Sequence, residues 1–341
     1  VVKAAIPAGI GLFIAFLGLQ DAKLVIPSES TGVTLASFNL LGGAGWGAVM
    51  PLIVAVFSLL LIAVLSHKKV KGSILWGILG GTGLYYILGF TVKDFYKGFA
   101  ETLSFNPFKP FSAFASEAFG KVFTEGFDFS AYLSADGHSV GGLVILFITT
   151  ALAFCMVDMF DTLGTLYGAC RGGNLLVKND KGELEVPNMD RAMMADAVAT
   201  CTGSVLGTST VTTFVESSAG VAAGGKTGVT SLVTAAAFAV ALFFAPIAKL
   251  IPPYAYGAAL IYVGVLMIGS VKDIDWKDVS VSVPAFLTVA MMPFTYNISY
   301  GIAFGLFSYV IIKAFCGEIK QIKIGTWVVT ALFVAMFFLT H

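Results

Sequence analysis

The sequence predicts an all-α polytopic membrane protein, and three observations carry that prediction. Of its 341 residues, 57% are hydrophobic and only 12% are charged, about half the charged share of an ordinary soluble domain. The apolar residues gather in runs close to the roughly 20 residues that a helix needs to cross a bilayer core. Glycine occurs 38 times, which suits close helix packing and interrupted helices in lipid. Lys plus Arg balance Asp plus Glu at 20 each, so no charge excess points to nucleic acid or an acidic partner. Cys155, Cys170, Cys201 and Cys316 match neither a CxxC motif nor a disulfide framework, and they read as packing residues. His67, His138 and His341 stand far apart, so no metal site is expected.

Taken in order, the runs give about ten or eleven membrane segments. The chain opens as VVKAAIPAGIGLFIAF and enters a span at 4–19 without the basic, apolar and cleavage regions of a signal peptide. A Gly/Ser-rich loop follows to residue 47. The span at 49–66 ends at the basic cluster His67, Lys68, Lys69 and Lys71. The next, 72–90, carries Gly77 and Gly81 at the spacing of close helix packing. Residues 92–142 are the longest polar interval. Phe105, Phe108, Phe111 and Phe114 recur there every third residue, followed by Phe119, Phe123 and Phe127. Such an aromatic stripe beside charges predicts an interfacial amphipathic helix or lid. Further segments are expected at 143–168, 192–206, 228–248, 254–268, 281–298, 301–315 and 324–339. Basic residues cluster at 67–71 and 171–190, which puts those loops in the cytoplasm and 92–142 outside.

Acidic residues inside these spans are the candidates for function, because a charge in an apolar interior is costly unless it binds something. Asp158 and Asp161 sit in CMVDMFDTLGTLYGAC, where a spacing of three puts both on one helix face. Thr162 and Thr165 add hydroxyls beside them. The alternative is that the two acids pair with a neighbouring helix. Asp196 lies about one turn from Arg191, so an ion pair competes with a role in proton movement.

The central stretch is GTSTVTTFVESSAGVAAGGKT at 207–227. Its Thr/Val-rich first half favours a strand and its small-residue second half a short helix, with the change of state at Glu216. There the carboxylate and free backbone N–H groups would face the same point. Phe214 could wall a planar heterocycle, whereas Ser217 and Glu216 could instead simply cap the helix. Lys226 marks the cytoplasmic end. Residues 220–227, GVAAGGKT, also fit the phosphate-loop pattern, which makes a nucleotide-binding enzyme a formal rival. Against it, Glu216 separates the strand from the first glycine and no strand ending in Asp follows.

These motifs together resemble one family. The Asp158 segment, RAMMADAVATCTGSVLGTSTVTTFVESSAGVAAGGKTG at 191–228 and PAFLTVAMMPFTYNISYGIAFGLFSYV at 284–310 are similar to the azaguanine-type purine permeases. These form the hypoxanthine/guanine/adenine branch of the nucleobase:cation symporter-2 family. The opening AGIGLFIAFLGL at 8–19 fits the same family.

The resemblance implies two inverted seven-segment repeats arranged as core and gate domains, moving by alternating access. The gate would comprise 1–91 and 253–341, the second half of the core 143–248, and an extracellular loop 92–142. The family's first four segments would precede Val1. Substrate-binding residues implied or suggested are Asp158, Glu216, Phe214, Val215, Ser217 and Thr162, with Asp161 as the alternative to Asp158. Asp161 and Asp196 would serve proton coupling. The expected function is import of purine nucleobases by proton symport, with no cofactor beyond the proton and no enzymatic activity. Expected partners are the purine, the lipid bilayer of the cell membrane and a second copy in a homodimer. An anion carrier of the same architecture is the rival among transporters.

Overall fold

Every apolar run long enough to cross lipid becomes a helix. The computed structural model describes residues 2–39, 45–92, 95, 111–112, 114–134, 139–179, 182, 184–244 and 248–340. The main helices are α1 (Val2–Asp21), α2 (Trp46–His67), α3 (Ser73–Gly89), α4 (Val140–Gly172), α5 (Met189–Leu206) and α6 (Ser217–Ala222). They continue with α7 (Gly228–Phe243), α8 (Pro253–Ile268), α9 (Val279–Thr295), α10 (Ile298–Phe315) and α11 (Ile324–Thr340). Among the described residues, α1, α2, α4, α10 and α8 with the turn after it are long and apolar enough to span a membrane, while α3, α7, α9 and α11 are shorter apolar helices. Among the described residues, strand pairing is confined to two small antiparallel hairpins, Val25–Ser28 with Gly32–Leu35 and Val177–Lys178 with Leu184–Glu185. An all-α polytopic membrane protein results.

The chain divides into two compact units. The first holds Val1–Leu12, Phe114–Ser217 and Met267–His341. Here α4 runs for 33 residues, about 50 Å at 1.5 Å per residue, well beyond the roughly 30 Å hydrocarbon layer. Its inner half lies against α1 through Gly164, where an added Cβ would press on Ile6 and Ile10. One turn on, Gly168 meets Met267 and Pro7. The α9–α10 hairpin closes in the same way, with Gly301 and Gly305 giving room to Met292 and Thr288. Side-chain caps fix the starts of these helices: Asp278 accepts from the Ser280 N–H and Asn297 from the Ser299 N–H, both at 2.8 Å. Each satisfies a donor that the first turn leaves without a helical partner.

The second unit holds Phe13–Ala113 and Ser218–Leu266. The glycines that the sequence spaces for close packing do that: Gly77 faces Ile62 and Gly81 faces Ser58, joining α3 to α2. Trp46 donates to the Thr91 hydroxyl at 2.6 Å and Tyr86 to the Leu250 carbonyl at 2.7 Å. The first ties the start of α2 to the residues after α3, and the second ties α3 to the segment before α8.

Two expectations change here. No ladder forms in 207–216 among the described residues; the threonine hydroxyls and the Val211 carbonyl tie 208–213 to α4 and α5. The cysteines are free, but Cys155, Cys201 and Cys316 are exposed and only Cys170 is half-buried, so most are not packing residues. Of the aromatic stripe, Phe105 and Phe108 lie outside the described residues. Phe114 sits on a π turn and Phe123 on a single helical turn (Lys121–Thr124), and Phe111, Phe114, Phe119, Phe123 and Phe127 are all exposed.

Candidate functional site

Four carboxylates of the first unit converge where α4, α5 and the segment 207–217 meet. Asp158 lies near the middle of α4, with Asp161, Thr162 and Thr165 on the same face by helical periodicity. Thr162 and Thr165 are fully buried, and Asp196 on α5 is 8% exposed. The charges of Asp158, Asp196 and Glu216 all reach Asp161.

Asp196 is the fastened member of the group. The Thr162 hydroxyl donates to its Oδ2 at 2.7 Å and the Thr213 hydroxyl to its Oδ1 at 2.8 Å. Thr162 has a single proton, so the 3.0 Å bond to Thr212 is one that Thr212 donates. Thr200 donates to the Val211 carbonyl at 2.8 Å, and Gly203 lets Val211 and Thr208 approach α5 closely. Residues 208–213 are therefore held to α4 and α5 by hydroxyls. Arg191 is exposed and Asp196 turns to threonines, which removes the ion-pair alternative.

Asp158 and Asp161 are different. Each keeps one buried oxygen, Oδ1, without a hydrogen-bond partner among the described residues, and the Thr165 hydroxyl is in the same state. A buried acceptor left unpaired is costly, and such atoms are the ones a ligand or proton can satisfy. The hydroxyls of Thr212 and Thr200 face Asp158 from the other side. At the end of the segment Val215 is buried, while Phe214, Glu216 and Ser217 are exposed. The helix that follows has only six residues.

The phosphate-loop rival fails on geometry. Residues 220–222 lie inside helix α6 and 223–227 lead straight into α7, with no strand before them. A phosphate cradle needs a strand feeding the loop.

The Permease family profile matches residues 1–304. The chain belongs to the Permease family. It is similar to the guanine/hypoxanthine permease PbuO of Bacillus subtilis, 36% identical over 339 residues, covering 99% of this chain and 70% of the relative. It is similar also to the adenine permease AdeQ of Escherichia coli, 32% identical over 333 residues, covering 97% and 66%. The guanine/hypoxanthine permease PbuG of Bacillus subtilis is 33% identical over 335 residues, covering 97% and 67%. The chain thus spans about two thirds of the length of these relatives. The resemblance to purine permeases read from the motifs holds, and with it a multi-pass chain of the cell membrane.

Within this Permease family chain, all eight residues proposed from the sequence for substrate binding or proton coupling fall on α4, α5 or 207–217. Thr162 is occupied by Asp196 and Thr212 and has no free proton for a ligand. Sequence reasoning missed Thr200, Thr212 and Thr213. Their signal was available: Thr200 stands one helical turn from Asp196, and TSTVTT at 208–213 is unusually rich in hydroxyls for a buried strand.

Proposed function

We propose that the intact protein imports purine nucleobases by proton symport through alternating access, and that the substrate site is the carboxylate cluster of α4 and 207–217. The observation that carries this is the pair of buried, unpartnered oxygens on Asp158 and Asp161 beside an exposed Glu216. The names of the relatives, which are adenine and guanine/hypoxanthine permeases, support the purine class.

A purine presents N–H donors along one edge and a flat apolar face. Asp158 and Glu216 accept from those donors, and Phe214 and Val215 offer apolar contact, with the Ser217 backbone and hydroxyl beside them. Charge-assisted bonds of this kind are stronger than neutral ones. Asp161 takes the coupling proton. Several carboxylates sharing an apolar interior are costly while all stay ionised, so one proton and one neutral purine together ease the return of the loaded site through the membrane. Asp196 contributes by holding 208–213 in place. Rocking of one part of the protein against another then exposes the site to each side in turn, as carriers of this kind do.

The same acids oppose the anion-carrier reading, since carboxylates repel anions. In cells expressing the intact protein, labelled hypoxanthine uptake should be inhibited by unlabelled guanine or adenine and unaffected by sulfate. Glu216→Gln should reach the membrane and take up less than about one tenth as much, the loss expected for a charged hydrogen bond worth roughly 1.5–3 kcal/mol. Parental uptake by this variant would remove Glu216 from the site.

A further inference from the structure

We infer that Arg171 and Asp273 form a reversible ionic latch at the inner end of the substrate-bearing helix. Arg171 occupies the last turn of α4, about 20 Å along the axis from Asp158 at 1.5 Å per residue. Its guanidinium pairs with the carboxylate of Asp273, the residue that closes the 3-10 turn Gly269–Asp273 after α8. The Tyr167 hydroxyl, one turn back on the same face, donates to the same oxygen at 3.5 Å. A basic residue at this helix end also suits the dipole.

Three features make this pair a latch instead of a fixed strut. Both side chains are about a quarter exposed, 25% and 23%, so each charge can regain water when the pair parts. A fully buried pair would strand two charges on opening, and a fully exposed one would bias the equilibrium little. Next, Ile6, Ile10, Pro7 and Met267 reach α4 through the space left by Gly164 and Gly168, an apolar contact in which these residues add no side-chain hydrogen bond to the helix end. Last, the other polar ties of α4 lie further up, at Thr162, and run to Asp196 and Thr212. Among the described residues, the ion pair and hydrogen bond that tie the inner end to the turn after α8 both converge on Asp273, so parting Arg171 from Asp273 loosens it. The latch rests on the proposed carrier reading only for its purpose, since its opening is measured without transport.

Cys170, half-buried beside Arg171, reports the opening. The intact protein with Cys155→Ser, Cys201→Ser and Cys316→Ser is placed in membrane vesicles with the cytoplasmic face outward and treated with a membrane-impermeant maleimide. Asp273→Asn should raise the labelling rate of Cys170 about two- to fivefold, the bias a partly exposed ion pair supplies. Arg171→Asp combined with Asp273→Arg should bring it back to the parental rate. If Asp273→Asn does not accumulate in the membrane, Arg171→Gln gives the same test from the other partner. A parental rate in the single variant, or no recovery in the reversed pair, overturns the latch. Loss of purine uptake with normal labelling behaviour would instead count against the transport reading alone.

Discussion

At the scale of single residues, the four carboxylates divide by how their oxygens are used. Both oxygens of Asp196 accept threonine hydroxyls, whereas Asp158 and Asp161 each keep a bare buried oxygen. A saturated carboxylate serves as a fastening, and an unsaturated one can take a ligand or proton. Thr213→Val removes one donor to a charged acceptor, which costs roughly 1.5–3 kcal/mol. It should lower the thermal midpoint of the purified protein and raise KM for hypoxanthine, leaving the pH dependence of uptake in place. Asp161→Asn should flatten that dependence with little loss of thermal stability. The reverse pattern in uptake-against-pH curves would exchange the two roles. The exposed cap of α9 does not confuse such curves. The Ser280 side chain and backbone hold the Asp278 carboxyl below the usual carboxylate range. Its folded value is depressed, so its contribution is present above the unfolded value of about 3.9 and is lost only as pH falls through the folded one. Changes between about pH 5 and 8 therefore belong to other groups.

At the scale of elements, the helices were legible in the sequence and the organisation of 207–217 was legible only in part. Run length and composition alone fix where an α-helix can cross lipid, and each expected segment has its helix. Gly77 and Gly81 likewise announced close packing that α2 and α3 make. The segment TSTVTT was harder, because Thr and Val favour a strand while Thr also carries a hydroxyl that can serve any buried acceptor. Which use wins depends on what lies within 3 Å, and Asp196, distant in sequence from Thr213, decides it. An ion pair of Asp196 with Arg191 stayed open in the sequence for the same reason: local spacing was visible, and the partners on α4 and 208–213 were not. Gly203 tests how tightly the segment must sit. An added side chain there would push on Val211 and Thr208, and overpacking of this kind costs typically about 1–3 kcal/mol. Gly203→Val should therefore shift 208–213 off α5 and reduce hypoxanthine uptake more than it reduces the amount of protein in the membrane. Equal losses of uptake and amount would make Gly203 a general packing residue only.

At the scale of the whole molecule, the Permease family and a multi-pass membrane chain leave the driving force to be tested, and the charges allow a sharp test. Purines are neutral near pH 7, so a carrier that moves one proton with each purine carries one positive charge inward per cycle. The membrane potential then acts on transport directly, at about 2.3 kcal/mol per elementary charge per 100 mV. That energy corresponds to an accumulation of about 50-fold at 100 mV, inside negative, with equal pH on both sides, since a tenfold ratio takes about 1.4 kcal/mol. Proteoliposomes of the intact protein, loaded with potassium and treated with valinomycin in sodium-free buffer, should thus concentrate hypoxanthine strongly. Adding a protonophore at zero potential should leave only equilibration. A purine facilitator would reach equal concentrations inside and outside whatever the potential, because nothing charged moves with its substrate. A sodium-coupled carrier would stay at equilibrium until sodium was supplied. Concentrative uptake without sodium, driven by potential alone, is the outcome that assigns the proton to the cycle.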